Sequence, residues 1–176
     1  MRSRSRPRGL APGTPSEDLA AAREAALRLL ERMRRPRSDL ERRLRDRGFA
    51  AATVEQALDR LAGVGLVDDV EYARAWLAGR WGRRPAGWRR LEQELRARGI
   101  ATGDIAAART RLEEEQGGAD EVTAARKVIA GAERRTRGLD SRTRRRRLYA
   151  LLVRRGFDGE TIEEAMRAPD ETQDDS

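Results

Sequence analysis

Three ten-residue segments of the chain align without a gap: LERRLRDRGF (Leu40 to Phe49), LEQELRARGI (Leu91 to Ile100) and LYALLVRRGF (Leu148 to Phe157). Each carries leucine at its first and fifth positions, arginine just before a glycine, and a large apolar residue just after it. Self-similarity at a long period is the signature of stacked supersecondary units, so it constrains the fold before any single helix is assigned. The glycines, Gly48, Gly99 and Gly156, are separated by 51 and 57 residues. A second periodic segment follows each one: Val54, Ala57 and Leu58; Ile105 and Ala108; Ile162, Ala165 and Met166. Another helical stretch precedes each: Ala26 to Leu30, Tyr72 to Leu77 and Ala124 to Ile129. Apolar residues recur at helical spacing with no sustained two-residue alternation. The expected fold is all-α, an elongated tandem array of three three-helix repeats of about 50 residues.

The boundaries follow composition. Residues 1–15 hold Pro7, Pro12, Pro15, Gly9 and Gly13 with four arginines and no acid, and are expected to be a disordered basic tail. The repeats are expected at 16–67, 68–117 and 118–167, with an acidic disordered tail at 168–176 carrying Asp170, Glu171, Asp174 and Asp175. Within each repeat, leucines at i and i+4 mark one helix face. The glycine that follows suits a left-handed cap, where a Cβ costs roughly 1–2 kcal/mol. Phe49, Ile100 and Phe157 then fold back on the last turn. Gly48, Gly99 and Gly156 are therefore assigned as structural caps. Asp158 is expected to cap the next helix, with Thr102 or Asp104 in that role in the second copy; the first copy, Ala50-Ala51-Ala52, offers none. Asp68 is expected to cap the helix of Tyr72 and Trp76. Arg109 departs from the pattern, standing where Leu58 and Met166 stand, which suggests a third helix in copy two that is shortened or shifted.

Composition excludes most chemistry. The 176 residues contain no His and no Cys, so imidazole or thiol nucleophiles, Ser-His-Asp triads, Cys/His zinc sites and disulfides are out. Glu113-Glu114-Glu115 and Asp68-Asp69 are the densest acidic clusters, but neighbouring carboxylates on a helix diverge, and no Gly-rich phosphate loop accompanies them. The chain is not expected to be an enzyme and implies no cofactor or metal. No apolar run approaches the roughly 20 residues that span a bilayer. No apolar region follows the N-terminal arginines, so no secretory signal is read and a cytoplasmic protein is expected.

What remains is charge. There are 38 Lys+Arg against 30 Asp+Glu, a net +8, and Lys127 is the one cation that is not arginine. Between Arg134 and Arg155 ten arginines face one acid, Asp140. Arg142, Arg144, Arg145, Arg147 and Arg154 are the candidates there for contacting phosphates or an acidic protein surface. A second patch in the middle repeat gathers Arg80, Arg83, Arg84, Arg89 and Arg90 with Trp81 and Trp88, and Arg98 is a further candidate there. Two tryptophans in a Gly/Pro/Arg loop read as interface anchors, or as platforms for bases, more than as core. Trp76, periodic with Tyr72, reads as core.

These segments resemble the RecX regulatory proteins, modulators of the bacterial RecA recombinase. The likeness runs from about Ala22 to Met166 and is carried by ALRLLERMRRPRSDLERRLRDRGF, LAGVGLVDDVEYARAWL, GWRRLEQELRARGI and RRRLYALLVRRGFDGETIEEAM. The ordered set is specific, above all GLVDD followed by YARAWL and the three RG-apolar endings. The resemblance implies three tandem three-helix modules lying in the groove of the RecA–DNA filament. There the protein would suppress ATP hydrolysis, strand exchange and filament growth in recombination, DNA repair and the SOS response. It implies a monomer with the RecA filament as partner and nucleic acid, single- or double-stranded, contacted weakly or within the filament. Two other classes remain at this stage: a stand-alone DNA-binding helical repeat protein, and a scaffold for an unrelated acidic partner.

Overall fold

The computed structural model describes residues 15–83, 85–116 and 121–167. The two tails, Arg84 and the Gly117-Gly118 linker lie outside the described residues, apart from Pro15. Nine helices are present among the described residues: α1 (Leu19–Leu30), α2 (Arg37–Arg45), α3 (Ala51–Gly63), α4 (Asp69–Arg83), α5 (Trp88–Arg96), α6 (Thr102–Gln116), α7 (Glu121–Thr136), α8 (Ser141–Arg154) and α9 (Gly159–Met166). The only β pairing among these residues is an isolated bridge between Ser16 and Phe49. Packing runs within triplets: α1, α2 and α3 on one another, α5 on α6, and α7, α8 and α9 on one another. The chain divides into two compact units, Met1–Tyr72 and Ala73–Ser176.

The aligned leucines form the cores. Leu40, Leu44, Leu91, Leu95 and Leu152 are fully buried and Leu148 nearly so. In the first unit Leu40 and Leu44 meet Ala26, Leu29, Val54, Leu58 and Leu61, with Phe49 packed alongside. In the second, Leu152 and Phe157 meet Ala124, Ala125, Val128, Ile162 and Ala165. Each α2-type helix ends on a glycine of positive φ: Gly48 at 87°, Gly99 at 78° and Gly156 at 87°. The next amide donates five residues back, Phe49 to Leu44, Ile100 to Leu95 and Phe157 to Leu152, at 3.2–3.3 Å. That is the Schellman arrangement, and it anchors the apolar residue over the last turn. A fourth such corner, unanticipated, follows α3: Gly65 has φ 72° and the Leu66 amide reaches the Leu61 carbonyl at 2.9 Å.

The N-termini bring partial corrections. Asp158 and Asp68 cap as expected, accepting from the Thr161 and Glu71 amides at 2.7 and 2.9 Å. Ala50 stands at the α3 N-cap with no side-chain acceptor. Neither Thr102 nor Asp104 stands at a cap position, because α6 already begins at Thr102 and the Ile105 amide bonds the Ala101 carbonyl. Nor is α6 shortened by Arg109. It runs 15 residues and buries Ile105, Ala108 and Leu112.

Helices α2 and α5 start at Pro36 and Gly87, which provide no side-chain cap. In both, an acid at the start of a helix two further along completes the end. Asp69, first residue of α4, accepts from the Arg37 amide at 2.8 Å, and Glu121, first residue of α7, accepts from the Trp88 amide at 2.9 Å. An orphan amide at a helix N-terminus is a strong donor, and a carboxylate answers it well. Helices α2 and α5 are thus each clamped by the first residue of the helix two further along, whereas α8 carries its own cap in Asp140.

Within the second unit the chain before α5 lies directly against the α8–α9 corner. The Gly87 amide donates to the Arg155 carbonyl at 3.0 Å, and Arg155 Nη1 donates to the Pro85 carbonyl at 3.1 Å. A Cβ on Gly87 would sit 2.2 Å from the Gly156 carbonyl oxygen, and one on Gly156 would sit 2.5 Å from Arg90 Cβ. Gly87 has φ −70°, open to any residue, so Gly87→Ala isolates the clash from backbone strain. It is expected to cost about 1–3 kcal/mol, the usual range for overpacking. At roughly 2–4 °C per kcal/mol, calorimetry should read a drop of several degrees. An unchanged melting temperature would mean that the two corners do not touch in solution.

Candidate partner-binding surface

Six arginines of the first unit are neutralised by nearby acids. Arg28, Arg34, Arg35, Arg37, Arg42 and Arg43 each pair with a carboxylate. Asp39 alone receives Arg35, Arg42 and Arg43. Burial pushes its carboxyl up, but the three guanidinium hydrogen bonds outweigh that and hold it below its ordinary value. The sequence explains the Asp39 cluster, since its partners stand three or four residues away, Arg42 and Arg43 on the same helix and Arg35 just before it.

Helix α8 has no such partners. Its sequence, SRTRRRRLYALLVR, contains no acid, and Asp140 is engaged by the Thr143 amide. Arg142, Arg144, Arg145, Arg146, Arg147 and Arg154 are exposed, and none forms a side-chain ion pair or hydrogen bond among the described residues. Arg134, Arg135 and Arg137 at the end of α7 are equally exposed and unpaired there. Successive helical residues turn by about 100°, so consecutive arginines cannot share a face. Arg142, Arg146, Tyr149 and Val153, at spacings of four, three and four, do share one, turned away from the buried Leu148 and Leu152. Tyr149 and Val153 are 43% and 50% exposed, large apolar groups left open in the middle of the arginines. Arg144 and Arg145 lie to one side, lining a groove with Met166, and Arg147 and Arg154 to the other, lining a groove with Thr136. Arg146, Tyr149 and Val153 were missed among the sequence candidates. The signal was available in the helical spacing from Arg142, but the contiguous run drew attention to charge rather than to faces.

A groove of about 690 Å³ continues this surface, walled by Arg89, Arg90, Gln93 and Arg96 of α5 and by Val153, Arg154 and Phe157. Arg89 is exposed and unpaired among the described residues, whereas Arg90 is tied to Glu94 at 3.0 Å and to the Arg154 carbonyl at 3.3 Å. Arg98 sits on the half-buried Trp76 ring at 4.8 Å and also donates to the Glu94 carbonyl. Its place is structural as much as superficial.

The interface reading of Trp88 is overturned. Trp88 opens α5, is 4% exposed, and carries the Arg109 guanidinium over its ring at 4.5 Å. A Gly/Pro/Arg context made it look exposed, but Gly87 permits the close approach that buries it. Arg109, the apparent departure from the repeat, is therefore the partner of Trp88. Trp81 and Arg83 belong to α4 by backbone, their side chains fall outside the described set, and Arg84 lies outside it altogether.

The Glu121 clamp beside Trp88 is electrostatically loaded. Desolvation pushes its carboxyl up first; Asp158 and Glu92 add to this, and the Trp88 amide and Arg109 oppose it. A raised folded pKa means that its contribution is full below the unfolded value of 4.5 and is lost as pH rises through the folded value. Glu121→Gln keeps an acceptor for the amide and removes the titration. It should flatten the fall in melting temperature that begins above about pH 4.5, while Glu121→Ala should cost about 1 kcal/mol as a lost cap. Parallel stability-versus-pH curves for parent and Glu121→Gln would contradict this.

Among the described residues no group of three or more acidic side chains is placed to hold a metal ion, and no helix is long and apolar enough to cross a membrane. The acids suspected from sequence are occupied otherwise: Glu113 pairs with Arg109, Glu115 with Arg74, and Asp68 and Asp69 cap helices.

Three family models match, described as the first, second and third three-helix domains of RecX, over residues 22–61, 68–108 and 119–166. Among relatives named Regulatory protein RecX, that of Streptomyces coelicolor is 35% identical, covering 92% of this chain and 85% of its own. That of Thermobifida fusca is 38% identical over 81% and 75%, and that of Mycobacterium tuberculosis is 36% identical over 86% of each. A crystal structure of regulatory protein RecX superposes with a TM-score of 0.72 at 28% identity, covering 82% of this chain and 71% of that one. The RecX structure from Lactobacillus salivarius, at 18% identity, shares the fold with a TM-score of 0.76 over 85% and 94%. With helix triplets, glycine corners and sequence agreeing from Ala22 to Met166, the chain belongs to the RecX family of regulatory proteins.

Proposed function

We propose that this protein binds the RecA recombinase filament and inhibits its ATPase, strand exchange and growth in recombination and DNA repair. The observation that carries the proposal, beyond family membership, is the unneutralised face of α8, where Arg142 and Arg146 flank the exposed Tyr149 and Val153. Charge alone would favour any polyanion; charge around an exposed aromatic favours a filament that offers both acidic protein and nucleic acid. In this reading the protein works as a cytoplasmic monomer, catalyses nothing, and meets nucleic acid within the filament rather than free. Titration into a recombinase ATPase assay on single-stranded DNA tests it, with hydrolysis expected to fall as the protein is added. Unchanged hydrolysis together with sequence-specific retention of free DNA at physiological salt would replace it with a stand-alone DNA binder.

A further inference from the structure

The groove between α8 and the end of α9 is lined by Leu139, Ser141, Arg144, Arg145, Leu148 and Met166, and by no carboxylate. Its volume is about 520 Å³. Arg144 and Arg145 are unpaired there among the described residues. The chain leaves α9 at this same place. Met166 is the last helical residue, and Arg167 follows with extended backbone, φ −69° and ψ 132°. Next in sequence come Ala168, Pro169, Asp170 and Glu171, then Asp174 and Asp175, with no cation among them. Pro169 disfavours helical backbone at the residue before it, Ala168.

Reach and charge agree. At up to roughly 3.3–3.6 Å per extended residue, Asp170 and Glu171 fall within about 10–15 Å of Arg167, and Asp174 and Asp175 within about 30 Å. The groove begins at the tether point, so a short linker holds four carboxylates near the arginines at an effective concentration in the millimolar range. We propose that the acidic segment 168–176 docks in cis on the Arg144–Arg145 side of α8 and competes there with the anionic partner. The competition rests on the partner-binding role given to α8 above; the docking does not. The charge of the segment is then a regulator. It screens the basic face from weak polyanions, and a partner presenting many phosphates or carboxylates displaces it.

The absence of cysteine makes the test clean, since Ser176→Cys provides a single site for a nitroxide label. At low salt the label is expected to broaden the backbone amide signals of Ser141 to Tyr149. The broadening should vanish near 1 M salt, where the Debye length is about 3 Å. It should also vanish in the full-length variant carrying Asp170→Asn, Glu171→Gln, Asp174→Asn and Asp175→Asn, and weaken in Arg144→Gln/Arg145→Gln. Absent broadening, or broadening indifferent to neutralisation of the segment, overturns the docking whatever the recombinase does. The unlabelled neutral-segment variant should inhibit the recombinase ATPase at several-fold lower concentration than the parent at low salt, and equally at high salt. Equal inhibition at low salt, with the broadening intact, overturns the competition.

Discussion

Trp88→Ala should lower stability by about 3–5 kcal/mol, the range for deleting a buried aromatic side chain. In a chain of this length that is a fall in melting temperature of roughly 6–20 °C. The expectation rests on burial: Trp88 is 4% exposed, flanked in sequence by buried Ala86 and Gly87, and covered by Arg109. The truncation also removes the face on which the Arg109 guanidinium rests, and a cation–π contact adds about 0.5–2 kcal/mol. A double-mutant cycle with Arg109→Met would isolate that part. Circular dichroism and calorimetry decide. A Trp88→Ala protein that melts with the parent but no longer inhibits would restore Trp88 to the surface as an anchor.

That prediction marks where sequence reasoning ended. The repeat was legible because its carriers obey local rules. Leucines four apart share a face, a glycine before an apolar residue takes positive φ, and both conditions are met three times at Gly48, Gly99 and Gly156. Burial of Val54, Ala57, Ile105, Ala108, Ile162 and Ala165 follows from the same period. The clamps by Asp69 and Glu121 were not legible. Each acts on an amide 32 or 33 residues away, and nothing local distinguishes a carboxylate facing its own helix from one facing another. The pairing of Trp88 with Arg109 escaped for the same reason. Arg109 read as a departure and Trp88 as an interface anchor, and only the contact of α5 with α6 joins them.

The arginine surface was legible as charge but not as geometry. Counting cations located the excess between Arg134 and Arg155, and the structure shows that six arginines of the first unit are already matched by carboxylates, whereas none on α8 is among the described residues. The division of the run into faces needed the helix phase set by Leu148 and Leu152. Once that phase is known, Arg144 and Arg145 separate from Arg147, and Arg146 joins Tyr149.

Charge reversal on the outward face and at its edge, Arg145, should abolish inhibition of the recombinase at physiological salt. Replacing Arg142, Arg145 and Arg146 with Glu removes three positive charges and adds three negative ones around Tyr149. The fold should tolerate it, because all three side chains are exposed and unpaired among the described residues and surface changes of this kind usually stay within about 0.5 kcal/mol. If the arginines meet phosphates, each contact contributes about −0.7 to the log–log salt slope on single strands, so the triple variant should show both weaker inhibition and a shallower slope. Reversing Arg134, Arg135 and Arg137 alters the charge equally on a neighbouring helix end and separates a local surface from a general field. Inhibition lost in the first variant and largely kept in the second places the partner on the Tyr149 face. Equal losses would mean that net charge, not the face, attracts the filament. A folded triple variant that inhibits like the parent would make this face merely solvated and move the search to Arg89 and Arg96 along α5, where the adjoining groove already offers an alternative wall.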